Sequence, residues 1–379
     1  QRPKVLVNEG DTVKAGTPIL IDKALDQVIY AAPVSGKIVE VKRGDRRKLL
    51  EISILADATI VLEQLGAVNI ASLDRDALAA KLAASGVWPN IIQRPYGIVA
   101  NPADTPKSIF ISAFDTHPLA PDYAFALQGQ EKYLQAGIEA LAKLTSGKVH
   151  LNVDGSKATP APFADLKGAQ VNKFSGPHPA GNVGVQIHHV DPINKGEIVW
   201  TVTPYGVAQI GKFILEGVYD ASKVIAVTGS ELTKAAYVKT YSGANVSTFV
   251  KGNLNSGHVR VVSGNVLTGE KISLEGFVGF YHNQITVIPE GDYYEFMGWA
   301  KPTTRLSYHR ALGLLSFLSP KKEHVMDSNA RGEERAFVQT GVFESVTPMD
   351  ILPVYLLKAI MAEDFDEIEE LGIYEIVEE

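Results

Sequence analysis

The sequence predicts a multidomain α/β protein, and three observations carry that prediction. Its N-terminus repeats a strand–turn–strand device, its middle alternates strands with amphipathic helices, and short glycine-rich strands follow Tyr241 before an acidic tail.

Residues 5–21 (VLVNEGDTVKAGTPILI) alternate apolar and polar positions around Gly10 and Gly16, where glycine can take a positive φ in a tight turn. Residues 28–45 (VIYAAPVSGKIVEVKRGD) repeat the device, with Pro33 and Gly36 at the turn and Gly44 closing it. Two such halves in one short stretch predict a β-sandwich of pseudo-symmetric halves over residues 1–57.

A helix is expected over 72–88, with Ser72 as its cap and Gly86 as its stop. Residues 108–114 (SIFISAF) read as a buried strand, 122–147 as one helix closing at Gly147, and 148–153 (KVHLNV) as the next strand. That β-α-β succession favours parallel pairing and a three-layer domain. More of the same follows: a strand at 197–203, a helix at 206–219 with Ile210, Phe213, Ile214 and Val218 on one face, and a strand at 223–229. The α/β domain is therefore expected over 58–240, a small β domain over 241–300, and a partly helical tail over 301–379. Thr347-Pro348 reads as the start of the tail helix, a capping residue before a proline at the first helical position.

The totals exclude several function classes. The chain has 379 residues and a formal charge of −7, with no basic block, which argues against a nucleic-acid footprint. No stretch approaches the roughly 18 consecutive apolar residues of a membrane span, so the expectation is a soluble protein. With 0 cysteines the sequence holds no disulfide, thiolate metal site or Cys-ligated iron–sulfur cluster.

The motifs that invite chemistry mostly have plainer readings. The pattern EGDxVxAGxPxL…APxSGxIxxV resembles the biotinyl/lipoyl carrier fold, and Lys23 stands near the position of a modified lysine. The stretch from Ala24 to Pro33 is too long for a carrier hairpin, so a structural sandwich is expected. Residues 206–213 (GVAQIGKF) match GxxxxGK, but Phe213 replaces the Ser or Thr that would hold Mg²⁺, and the stretch reads as helix. No GxGxxG dinucleotide fingerprint occurs. In residues 174–192 (FSGPHPAGNVGVQIHHVDP), His178, His188, His189 and Asp191 lie close in sequence. Read as a strand, His188 and His189 would point to opposite faces, so no metal site is expected there. The Gly and Pro density instead predicts a rigid loop whose backbone approaches something closely. Residues 94–106 (RPYGIVANPADTP) could line a pocket for a flat polar ligand, with Tyr96 stacking and Arg94 or Asn101 donating hydrogen bonds, or could serve only as a connection. No nucleophile–base pair or paired carboxylates stand out, so no catalytic or cofactor-binding residue is assigned.

Six runs, VNEGDTVKAGTPIL, APVSGKIVEVKRG, DTHPLAPD, FSGPHPAGNVG, IHHVDPINK and MDILPVYLL, resemble in this order the A subunit of the sodium-translocating NADH:quinone reductases. Residues 207–232 also resemble a wider group, which contains the Rnf complex C subunit together with the flavoprotein of respiratory complex I. The resemblance implies a barrel-sandwich unit, a Rossmann-like domain, a β-grasp (SLBB-like) domain and a helical tail. It implies a peripheral subunit on the cytoplasmic face of the bacterial inner membrane, in a complex that oxidises NADH, reduces quinone and exports Na⁺. The partners it implies are the other subunits, the membrane B subunit especially, with ubiquinone or menaquinone as a candidate ligand. The complex uses NADH, FAD, FMN, riboflavin, iron–sulfur clusters and quinone; no redox cofactor is expected to be bound by this subunit, quinone being only its candidate ligand. The flavin loop and cluster cysteines of the complex I relative are missing here, so the resemblance carries over the fold and not that chemistry. A flavin- or NADH-binding dehydrogenase module, suggested by the α/β pattern alone, is the alternative, and a carrier or pure interaction protein, suggested by the N-terminal sandwich, a third reading. The resemblance further implies a chain trimmed at both ends. Arg94, Tyr96, Asn101 and His178 are the expected contacts to quinone or a partner.

Overall fold

In the computed structural model, residues 3–294, 296, 325–329 and 341–379 are described. The chain divides into two compact units, Gln1–Val224 with Lys239–Gly243 and Thr340–Glu379, and Ile225–Val238 with Ala244–Gln339.

The N-terminal part of the first unit is built from two three-stranded antiparallel sheets. One has the order Pro3–Val5, Pro18–Asp22, Ile29–Ala31, and the other Thr12–Val13, Gly36–Arg43, Leu49–Ala56. Val13, Ile19, Ala32 and Ile38 form the core between them. Gly36 is required by a close approach, since a Cβ there would lie 2.1 Å from the Leu55 carbonyl oxygen. Lys23 is exposed in the connection after Pro18–Asp22.

A six-stranded mixed sheet follows, in the order Gln170–Phe174, Lys148–Asp154, Ser108–Ser112, Val199–Val202, Ile91–Arg94, Ile98–Val99. The first four strands are parallel, and Ile91–Arg94 adds antiparallel to Val199–Val202. Ser108–Ser112 shows why both faces are covered: Ile109 and Ile111 enter the main core while Phe110, on the other face, joins Ile187, Ile193 and Val199. Helices Glu131–Ala142 and Pro204–Glu216 belong to the main core, and helix Val183–Val190 packs on the Phe110 side. The fold class expected from sequence holds: sandwich, Rossmann-like α/β domain, small β domain and helical tail.

The second unit rests on a five-stranded sheet, in the order Ala236–Tyr241, Ser222–Thr228, Gln284–Pro289, Val259–Ser263, Glu270–Ile272. Ile225, Val227, Val261, Ile285 and Val287 fill its core. Thus the strand read at 223–229 joins this sheet rather than the six-stranded one.

Four local expectations need correction. The helix expected from Ser72 starts later, at Arg75–Ala83, because Asp74 accepts a hydrogen bond from Ala77 N (2.8 Å) and caps it, leaving Ser72 in a short 3₁₀ turn. The helix read over 122–147 is two, Tyr123–Ala126 and Glu131–Ala142, broken where Gly129 takes φ +80°. His188 and His189 lie on helix Val183–Val190, not on a strand or in a loop. The tail helix is Pro353–Ala362 rather than one opening at Pro348. Pro353 inside such a helix would lose a hydrogen bond, and it biases Leu352 away from αR (φ −107°, ψ 81°). Expectations for 297–324 and 330–340 fall outside the described residues.

Candidate functional site

The sequence-predicted residues separate into two groups. Arg94 and His178 come to the same neighbourhood, around the N-terminus of helix Val183–Val190, whereas Asn101 does not join them.

Arg94 ends its strand opposite Val199, so its side chain lies on the sheet face that helix Val183–Val190 covers. That side chain is 6% exposed, and its Nη2 donates to Glu379 Oε2 at 2.8 Å. The other carboxylate oxygen of Glu379 accepts the Gly184 N–H at 2.7 Å, and Asn182 Nδ2 donates to the Glu379 main-chain oxygen at 3.4 Å. A Cβ at position 184 would lie 2.3 Å from Glu379 Oε1 and 3.0 Å from Arg94 Nη1, so a side chain there would push both side-chain ends away.

The second component follows the carboxyl end of Ser108–Ser112, the edge at which parallel sheets usually bind ligands. His117 Nδ1 lies 2.5 Å from Asp115 Oδ1, which also accepts the His117 N–H at 2.8 Å, and Tyr123 OH donates to Asp115 Oδ2 at 3.3 Å. The His178 ring sits 4.8 Å from the His117 ring, and His178 Nδ1 is 3.2 Å from Thr116 Oγ1. Thr116 Oγ1 in turn accepts the Gly181 N–H at 2.9 Å. The expected close backbone approach of the Gly/Pro run is found here, since a Cβ on Gly181 would lie 2.7 Å from Thr116 N.

Electrostatics distinguish the two imidazoles. Burial pushes His117 down, but the hydrogen bond and charge of Asp115, with a smaller contribution from the Glu379 backbone, outweigh it and hold His117 above its ordinary 6.5. Burial, followed by the charge of His117, holds His178 below 6.5. Asp115 stays below the usual carboxylate range: burial opposes ionisation, and the His117 hydrogen bond outweighs that.

A buried polar network underpins the helix. Asn152 Nδ2 donates to Gln186 Oε1 (2.7 Å), Gln186 Nε2 donates to Ser112 Oγ (2.9 Å) and to Ala180 O (3.1 Å), and Ser112 Oγ donates to Gly181 O (3.0 Å). It fixes the loop carrying His178 relative to the strands carrying Ser112 and Asn152.

Tyr96 is 70% exposed, just beyond the Arg94 strand. The neighbouring Gly97 packs on the tail, where a Cβ would come 2.8 Å from Val377 Cγ1. Asn101 is a turn former: its Oδ1 accepts Ala103 N–H (3.1 Å) and its Nδ2 donates to Asp104 Oδ1 (3.3 Å). Arg75 ties that half of the loop down by donating to Pro102 O at 2.6 Å. The loop 94–106 therefore serves as connection at its Asn101 end and as exposed surface at its Tyr96 end.

His188, His189 and Asp191 are spent on other partners. His188 Nδ1 meets Glu375 Oε2 at 2.5 Å while its Nε2 accepts the Asp350 N–H at 3.0 Å, and His189 Nε2 donates to Pro348 O at 2.8 Å. Asp191 accepts from Ser108 Oγ at 2.7 Å and pairs with Lys107 at 3.0 Å. The P-loop-like glycines lie within helix Pro204–Glu216, where Gly206 and Gly211 make room for Asn90 and Tyr133.

Sequence reasoning missed Asp115, His117, Gly184 and Glu379. Asp115 and His117 had one available signal, their place immediately after a buried parallel-strand candidate.

Fold and site together define a multidomain α/β protein with a barrel-sandwich unit at its head and a polar cluster under one short helix. Three family models match in chain order: "NqrA N-terminal barrel-sandwich hybrid domain" at residues 1–57, "NqrA second alpha/beta domain" at 73–219 and "NQRA C-terminal domain" at 224–273. The Na(+)-translocating NADH-quinone reductase A subunit of Rhodopirellula baltica is 37% identical, covering 100% of this chain and 84% of the relative. Those of Alcanivorax borkumensis and Yersinia pestis (strain Angola) are 38% and 35% identical, each covering 100% of this chain and 85% of the relative. This chain belongs to the family of Na(+)-translocating NADH-quinone reductase A subunits.

Proposed function

We propose that this chain is a peripheral subunit of a sodium pump that couples NADH oxidation and quinone reduction to Na⁺ export. The observation that carries the reading is the chain-wide match to A-subunit relatives, with the three family models in order. Among the described residues no helix is long and apolar enough to cross a membrane, which fits a subunit that joins the membrane part through a partner.

Its role is to scaffold the complex beside the quinone-reaction region, on the cytoplasmic face and against the membrane B subunit, with no redox cofactor of its own. One feature of the residues supports that role. The GxxxxGK stretch has its glycines buried against Asn90 and Tyr133 inside a helix, so it does not form a phosphate-cradling loop. NADH, the flavins and the iron–sulfur clusters are then carried by other subunits.

Tyr96 is the side chain best placed to meet quinone or the B subunit, being exposed beside a fixed Arg94 and tail. Saturation-transfer NMR with a short-chain ubiquinone, repeated on Tyr96→Ala, tests this. Transfer that disappears in the variant supports a quinone contact at this loop. Absence of transfer in folded wild-type protein removes the pocket and leaves docking alone.

A further inference from the structure

We infer that Arg94 and the Gly184 N–H form a binding seat for a tetrahedral oxyanion of the phosphate class, filled in this structure by the Glu379 carboxylate. The inference stands on geometry alone and does not depend on the quinone reading.

The first support is the convergence of donors. Arg94 Nη2 and the Gly184 N–H, a free amide in the first turn of helix Val183–Val190, grip the two oxygens of one carboxylate at 2.8 and 2.7 Å. Helix N-termini favour anions through these unpaired amides and the helix dipole. The second is the space, which exists because residue 184 has no side chain; its Cβ would fall on the carboxylate and on Arg94.

The third is that the carboxylate underfills the seat. Arg94 Nε and Nη1 are buried without a hydrogen-bond partner among the described residues. A buried donor left unpaired is costly, and this 6%-exposed guanidinium uses only one of its three nitrogens. A carboxylate has two oxygens and both are engaged. A phosphate group brings additional oxygens on a tetrahedral centre, which suits the arginine fork. Glu379 is then a competitor tethered in cis. Any external anion must displace it.

The test is a titration of the full chain with orthophosphate and with methyl phosphate at constant ionic strength, following the Gly184 amide and the Arg94 guanidinium by NMR. Wild type and Glu379→Gln are compared. The seat predicts saturable shifts of both reporters and affinity at least about tenfold tighter in Glu379→Gln, equivalent to ~1.4 kcal/mol. Tighter binding of orthophosphate assigns the seat to the free anion, and tighter binding of methyl phosphate to a phosphorylated small molecule. Equal affinity in the two proteins, or shifts reproduced by chloride, overturns the inference. Arg94→Lys, which keeps the charge and loses the fork, should bind neither anion; if it does not fold, the Glu379→Gln comparison decides alone.

Discussion

Gly211 crosses Tyr133 so closely that a Cβ at position 211 would lie 1.7 Å from the Tyr133 carbonyl oxygen. The converse holds one turn away, where a Cβ on Gly137 would lie 2.2 Å from the Val207 carbonyl oxygen. The helices Glu131–Ala142 and Pro204–Glu216 therefore approach backbone to backbone, and both glycines are packing residues.

Gly211→Ala should consequently destabilise the protein despite alanine's better helix propensity. Overpacking of this kind typically costs about 1–3 kcal/mol, more than the ~1 kcal/mol gained from propensity. Gly257→Ala, with nothing within 4 Å of its added Cβ, is the control. Urea midpoints compare the two, and equal midpoints would refute the backbone contact.

The polar network beneath helix Val183–Val190 makes a second prediction. Asn152→Ala removes the donor to Gln186 Oε1 and the acceptor for Asn172 Nδ2 in a site where Asn152 and Gln186 are both 0% exposed. Leaving such groups unpaired costs about 1–3 kcal/mol. Thermal unfolding should show the loss, and the Gly181 and His178 resonances should move with it, because Gln186 holds that loop.

Asp115 and His117 give a pH dependence whose sign follows from their shifts. His117 is raised above 6.5, so its contribution to stability is complete below 6.5 and is lost as pH rises through the folded value. Asp115 is lowered below 3.8, so its contribution is present above 3.8 and is lost as pH falls through the folded value. The pair is therefore strongest between those limits. Ring NMR should find His117 titrating above 6.5 and His178 below it, and His117→Gln should flatten the alkaline fall in stability. The reverse order of titration would contradict the Asp115–His117 contact.

What the sequence made legible was periodic and local. The strands at 108–114 and 148–153 and the helix at 206–219 could be read because burial imposes their apolar spacing. Helix Val183–Val190 was hidden because two glycines and two prolines precede it and its buried residues include Gly184 and Gln186 beside Val185 and Ile187. Arg94 and His178 stood out by composition, yet their partners Glu379 and His117 lie far along the chain, and only tertiary folding joins them. Tail docking was equally illegible, since His188 and Glu375 carry no local signal of their 2.5 Å contact.

That docking supplies the last prediction. Residues 341–379 are held on helix Val183–Val190 by His188, which bridges Glu375 Oε2 and the Asp350 N–H, and by His189, which donates to Pro348 O. Tyr374 adds apolar contact to the Phe110, Ile187 and Val199 cluster. His188→Ala cuts two of these ties and leaves the Glu375 carboxylate, 15% exposed, without its imidazole. A hydrogen bond to a charged group contributes about 1.5–3 kcal/mol, so amide exchange in helix Pro353–Ala362 should quicken roughly tenfold or more. Strand Ser108–Ser112 should keep its protection, because its parallel pairing with Lys148–Asp154 and Val199–Val202 does not involve the tail. Equal quickening in helix and strand would mean that the tail unfolds only with the whole domain, and that His188 is part of the global core rather than a local clasp.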